Sequence, residues 1–348
     1  MLRQLARLTH AIPSAGPGAL TVAVYADGND ETVAARESGF EGVACVDDAA
    51  RLLGLLCRVW ERSPSEEIEG WARGLLEFVL WMQEPDGRWV NFVYDWDGRR
   101  NDGGLTSSVG ENFWHARALC GLSRAWFAFG DMRAEAAIQR GLEHVARTEA
   151  PPDVRALHVE VCLRLIERAG RTDLEPAVRR WAREIASREE TGVLMNNPDE
   201  RGTPHLWAHV QEGVLADAGT SLNEPALVEA ARRSASVFVE PIVRDGFDLN
   251  SVTPYDVSSL VFSLDRLEVA TGDDRWGGLA AAARSWFDVR DGSGTPVYDR
   301  VRGRVADGVD EGRASENSGA EANIEAGGAL LDSAIASAPL AVDLLPRA

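Results

Sequence analysis

The sequence contains no lysine: all 36 residues counted as Lys plus Arg are arginine. That absence excludes a Schiff-base amine, a pyridoxal-phosphate lysine and a phosphate-loop lysine together. Positive charge is also in deficit, since Asp plus Glu total 55 and the formal net charge is −19. Nucleic-acid phosphates and an anionic membrane surface would be repelled, so neither is an expected partner. Cysteine is sparse. Cys45, Cys57, Cys120 and Cys162 are scattered without a CxxC pair, and three of them fall inside apolar helical runs, so they read as small core residues. Long apolar runs are missing as well. No stretch reaches the roughly eighteen residues of a membrane span, and the opening MLRQLARLTHAIPSAG lacks the continuous apolar segment of a signal peptide. A cytoplasmic protein with no resident metal or cofactor is the expectation.

What is present points to helices. The 348 residues are ample for one large domain, taken here as 1–348, and the 11 tryptophans are a compositional excess whose faces can stack on sugar C–H surfaces or fill a core. In SPSEEIEGWARGLLEFVLWMQ (63–83), Ser63 can cap, Pro64 suits the first helical position and Glu66 completes a capping box. Ile68, Trp71, Leu75, Phe78 and Met82 then recur with a 3.6 period. The same pattern predicts helices near 2–11, 47–61, 65–83, 112–129, 132–148, 153–169, 173–188, 205–219, 223–239, 255–271, 274–288 and 321–337. Strand alternation is scarce, with TVAVYA (21–26) the best candidate.

The connections alternate. Very short links join these helices two by two into helical hairpins, while 12–46, 84–111, 189–204, 240–254 and 289–320 are long and rich in Gly, Asp, Asn and Pro, with only 149–152 short among the links between hairpins. If 321–337 pairs with 2–11, the helices form six hairpins, which suggests an all-α (α/α)6 toroid with its long loops on one face. An open helical solenoid is the alternative, but no fixed-period repeat supports it. In the ring, the starts of the inner helices would line one cavity.

The residues at those starts are chemically suggestive. CVDDAARLL places Asp47 and Asp48 in one first turn, where one can cap while the other faces the cavity, with Arg51 a turn later to orient a carboxylate. SSVGENFWHARAL places Glu111 at the start of the second helix, followed by Trp114 and His115. Upstream, Trp89 and Asn91 lie in a loop with the composition of a sugar-stacking, hydroxyl-binding segment. PHLWAHVQEGVL sets His205 and His209 four apart around Trp207. That spacing can bind a metal, but no third ligand is evident, and contacts to substrate hydroxyls are preferred. Tyr255 follows Pro254 as a cavity lining residue. In SENSGAEANIEA, Asn317 precedes a helix on which Glu321 and Glu325 share a face, a like-charge spacing with no local benefit.

Three stretches carry a resemblance: GFEGVACVDDAARLL (39–53), DGRWVNF (86–92) with VGENFWHARAL (109–119), and YDRVRGRVADGVDEGRASENSGAEANIEA (298–326). Together the chain resembles the helical toroid domains of the six-hairpin glycosidase type, particularly the domain that follows some bacterial group 1 glycosyltransferases. It departs from that pattern at Ala49, Asn112 and Ala322, where Asn, Asp and Ser are expected, and Glu111 to Arg117 is one residue longer. The resemblance implies a glycoside hydrolase acting on an oligosaccharide or glycoconjugate, commonly with inversion, for which two carboxyl groups roughly 6.5 to 9.5 Å apart would serve as acid and base.

The leading expectation pairs Glu111 with Asp47 or Asp48, keeps Glu321 as a third carboxylate, and uses Trp89, Trp114, Trp207 and Tyr255 as stacking surfaces. Two alternatives remain. One is a sugar 2-epimerase in which His205 and His209, or His115, move protons at carbon. The other is a non-catalytic glycan-binding domain partnering a glycosyltransferase.

Overall fold

The computed structural model describes residues 1–110, 112–197 and 202–346. Its helices, in chain order, are α1 (Leu2–Arg7), α2 (Val46–Arg62), α3 (Glu66–Trp81), α4 (Phe113–Phe129), α5 (Met132–Val145), α6 (Pro152–Ala169), α7 (Glu175–Ala186), α8 (Gln211–Ser221), α9 (Pro225–Ser234), α10 (Glu240–Arg244), α11 (Pro254–Thr271), α12 (Asp274–Ser285), α13 (Ala320–Ala329) and α14 (Leu331–Val342). Strands are short and lie in the connections. Among the described residues, no helix is long and apolar enough to cross a membrane.

The chain divides into two compact units. The first comprises Met1–Thr148, Tyr298–Asp307 and the chain from Ala314 onward, and the second comprises Glu149–Val297 with Gly308–Arg313. In the first unit, α2 packs against α3 and α4 against α5, as the short links require, and α1 lies on α13 and α14. Helix α2 also packs between α4 and α13, so the first helices of successive hairpins are neighbours. The approach of α4 to α2 is close enough to need glycine: a Cβ on Gly121 would lie 2.5 Å from the Ala50 carbonyl oxygen. The apolar stripe on α3 is buried as its period requires, with Ile68, Trp71, Leu75, Phe78 and Met82 all in the core. Its cap is Ser65, which accepts the Ile68 N–H at 3.1 Å, rather than Ser63.

The long connections of this unit interlock where α2, α4 and α13 begin. Ala44–Cys45 pairs antiparallel with Phe92–Val93, and Tyr25–Ala26 pairs with Thr32–Val33. Val24 and Ala26 accept the backbone N–H groups of Ala320 and Ser318, and the Val46 N–H reaches the Asn91 carbonyl. Segments far apart in the chain are thereby tied at adjacent helix N-termini.

In the second unit α6 packs with α7, α8 with α9 and α11 with α12, and α8 touches both α6 and α11. Helix α11 carries a full capping box, Thr253 with Asp256, so Asp256 is a cap.

Four predicted helices end differently from expectation. The first stops at Arg7, because Thr9–Ala11 turns into a strand against Leu20–Val22 while the Thr9 hydroxyl bonds back to the Leu5 carbonyl. The 205–219 segment becomes helical only at Gln211, since Ala208 takes a left-handed φ of 57°. The 223–239 helix widens into a π-helical turn at Ala235–Val239 and continues as α10, where Pro241 has no N–H to donate one turn back. The last helix breaks at Leu330, whose ψ of 47° separates α13 from α14.

Candidate functional site

Helix α2 begins at an unusual cap. The Cys45 sulfur, not a carboxylate, accepts the Asp48 N–H at 3.4 Å, and the Asn91 side-chain oxygen accepts the Asp47 N–H at 3.1 Å. Neither aspartate is therefore the cap that the sequence suggested, and both carboxylates are released to meet a charge. That charge is Arg51, one turn on. Its Nη2 lies 2.8 Å from Asp47 Oδ1, 2.7 Å from Asp48 Oδ1 and 3.0 Å from Glu321 Oε2, and its Nη1 lies 2.9 Å from Glu325 Oε1. The glutamates one turn apart on α13, an unfavourable pair in isolation, are explained by this shared guanidinium. Arg117 from α4 adds a second cation on Asp47.

The cluster sorts its acids. Burial alone would raise the Asp47 pKa, but Arg117 and Arg51 outweigh it and hold this carboxyl below the ordinary carboxylate range. Asp48 goes the other way. Burial, reinforced by the neighbouring charges of Asp47 and Glu321, pushes it up to about 7 against the pull of Arg51. Its two oxygens are engaged, Oδ1 by Arg51 and Oδ2 by the Cys45 thiol, and its side chain is only 3% exposed. The Glu321 side chain, by contrast, is 46% exposed, which makes it the part of the cluster that meets solvent. Three of these oxygens share one nitrogen, so they lie within about 6 Å of each other, below the gap of a water-spaced inverting pair. Glu111, the other proposed partner, lies outside the described residues.

Sequence reasoning passed over two groups beside the cluster. Asp307, in the turn after the Tyr298–Val305 hairpin, accepts the Gly319 N–H at 2.6 Å at the start of α13. Burial, then the charge of Glu321, raises it to about 6, although the Gly319 N–H and Arg304 oppose the shift. Gly319 must be glycine, because a Cβ there would lie 2.7 Å from the Val24 carbonyl oxygen. Asp307 stands in the Asp-Gly of the third resembling stretch, where it reads as an ordinary turn residue. Tyr25, in the short Tyr25–Ala26 strand into which the expected TVAVYA strand is broken, donates to Glu37, and burial and that bond raise its pKa. Only folding brings it near Asp48 and Glu321.

Several proposed contact residues are placed elsewhere. Trp89 is fully buried with its indole N–H on the Val79 carbonyl, so it is core and offers no stacking face. Asn91 is a positioning residue, holding the Asp47 N–H and the Thr106 carbonyl. The Trp114 indole N–H donates to the Trp89 carbonyl at 3.0 Å and steadies that loop. His115 is buried, packed edge-on to Trp89, and burial lowers its pKa to about 4. Asn317 is exposed, and its carbonyl accepts the Asp307 N–H.

In the second unit His205 and His209 do not share a helix face. His209 is buried, with Nδ1 2.6 Å from Asn196 Oδ1 and Nε2 2.9 Å from Glu212 Oε1. His205 stacks on Trp207 with ring centroids 3.7 Å apart and an 8° tilt, and its Nε2 lies 3.6 Å from Asp153 Oδ2. Trp207 is 40% exposed, and Tyr255, largely buried, lies 6.2 Å from it. Of the expected aromatic surfaces, Trp207 is the one that geometry leaves most available.

No protein-family model and no curated protein matches the chain in sequence. Solved structures do match in fold. A sugar epimerase from a ruminal bacterium aligns with a TM-score of 0.69 at 14% identity, over 91% of this chain and 92% of that one. Cellobiose 2-epimerase from Bacillus thermoamylovorans B4167 aligns with a TM-score of 0.69 at 10% identity, over 97% and 96%. An unsaturated glucuronyl hydrolase specific for heparin aligns with a TM-score of 0.62 at 11% identity, over 99% and 97%. These likenesses establish the fold class: the chain has the all-α fold of the helical toroids to which these sugar-processing enzymes belong.

Proposed function

We propose that this chain is a glycan-active hydrolase working with the carboxylates gathered at the N-termini of α2 and α13. The observation that carries the reading is Arg51, which draws Asp47 and Asp48 together with Glu321 from 270 residues away and leaves Glu321 half in solvent. Buried charges are normally paired. This cluster keeps an open carboxylate where a sugar hydroxyl or an attacking water could sit. Glu321 is the substrate-facing member, while Asp47, Asp48, Arg51 and Arg117 fix its position. The hydrolase among the fold relatives supports the same class of chemistry.

Epimerisation is the second reading, favoured by the epimerases of like fold. It asks histidines to move protons at carbon, and two of the three named, His115 and His209, are sealed in the core. Incubation of the protein with neutral, amino and acidic oligosaccharides in heavy water separates the readings. Hydrolysis predicts new reducing ends, lost by at least a hundredfold in Glu321→Gln. Deuterium uptake at carbon without cleavage would favour epimerisation, and saturable binding without product would favour a glycan-binding domain beside a glycosyltransferase.

A further inference from the structure

Hydrolysis needs a proton for the departing sugar oxygen, and Asp48 is badly placed to give one, with both oxygens occupied and almost no exposed surface. Asp307 is arranged differently. It is partly exposed, its Oδ1 is fixed by the Gly319 N–H, and its Oδ2 takes no hydrogen bond among the described residues, yet is not sealed from solvent. Gly319 caps the helix whose first turn carries Glu321, so both carboxyl groups are anchored to one helix N-terminus. Their mutual influence is visible in the raised pKa of Asp307, which leaves a fraction of it protonated near neutral pH.

We infer that Asp307 is the general acid of this site, with Glu321 as its basic partner. The inference rests on the hydrolase reading. Asp307 donates its proton to the glycosidic oxygen as the bond from that oxygen to the anomeric carbon breaks. A water attacks the carbon and gives its proton to Glu321, and exchange through solvent then removes that proton from Glu321 and restores one to Asp307. One glycoside and one water become a hemiacetal and an alcohol, with nothing oxidised or reduced.

The test is a leaving-group series. A sugar that the wild-type protein cleaves is offered as its unactivated oligosaccharide and as its 2,4-dinitrophenyl glycoside, whose phenolate departs without protonation. Asp307→Asn keeps an acceptor for the Gly319 N–H. It should lose at least a hundredfold on the oligosaccharide, remain within a few-fold on the activated glycoside, and lose the basic limb of its pH–rate profile. Glu321→Gln should fail on both. Equal losses of Asp307→Asn on both substrates, or none on either, would overturn the assignment. So would the same selective signature in Glu111→Gln with Asp307→Asn unchanged, and that outcome would leave the hydrolase reading standing. Should Asp307→Asn not fold, the wild-type protein still decides: its basic limb should be present with the oligosaccharide and absent with the dinitrophenyl glycoside, and a limb common to both excludes Asp307. If the wild-type protein cleaves neither substrate, the hydrolase reading falls, and this assignment with it.

Discussion

Each unit of this protein buries a charged network at the start of a helix, and the two networks are built in opposite ways. In the first unit, Arg51 gathers Asp47 and Asp48 from its own helix and Glu321 and Glu325 from α13, and one arm of the cluster remains open to solvent. In the second, Glu212 bonds to His209 three residues away and to Ser234, and His209 bonds to Asn196, with every side chain closed off. Asn196 in turn donates to the His205 carbonyl, so this network holds the irregular segment ahead of α8 in place. Burial of charge is common to both. The difference is access, and access separates a group that can meet a ligand from one that only shapes the chain.

Removing the hub of each network tests that contrast. Arg51→Met removes the guanidinium that four acids share, leaving Arg117 on Asp47, and we expect the largest effect here, a stability loss of about 3–5 kcal/mol in urea unfolding together with loss of turnover. Glu212→Gln keeps shape but removes the charge opposite His209 and should cost about 1–3 kcal/mol, with turnover of the folded protein unchanged. A Glu212→Gln protein of normal stability but impaired turnover would break the comparison.

A further contrast is a pH dependence. Asp48 has its folded pKa raised to about 7, so the folded state holds a proton that the unfolded chain has released between the ordinary aspartate value and 7. Stability should therefore decline as pH rises through that window, and Asp48→Asn should flatten the decline. Asp47 has the opposite sign. Its lowered folded pKa contributes stability above the ordinary aspartate value, lost as pH falls through the depressed value. Unfolding midpoints of the two variants, Asp48→Asn and Asp47→Asn, across pH 3 to 8 should change slope at opposite ends.

Local pattern and distant contact were unequally legible. The period of Ile68, Trp71, Leu75, Phe78 and Met82 is a short-range feature, and it appears where the chain places it. The alternation of short and long links likewise foretold which helices pair. The break at Leu330 and the late start of α8 were not visible, because Ala208 in a left-handed turn and Leu330 between two helices carry no special residue type. At the candidate site, carboxylates at helix starts were recognisable. Their roles were not: Asp48 reads as a cap until the Cys45 sulfur takes that position, and Trp89 reads as a stacking surface until the core closes over it.

The sequence by itself determined the helical hairpins, the acidic balance and the presence of carboxylates at helix N-termini, because periodicity, capping and link length act over a few residues. Only the tertiary structure decided that Glu321 and Glu325 join Asp47 and Asp48 on one guanidinium, that Asp307 stands at the head of α13, and that His209 is sealed while Glu321 is open. The physical reason is range. Charges and desolvation act through space between segments 270 residues apart, and nothing in the order of residues records that distance.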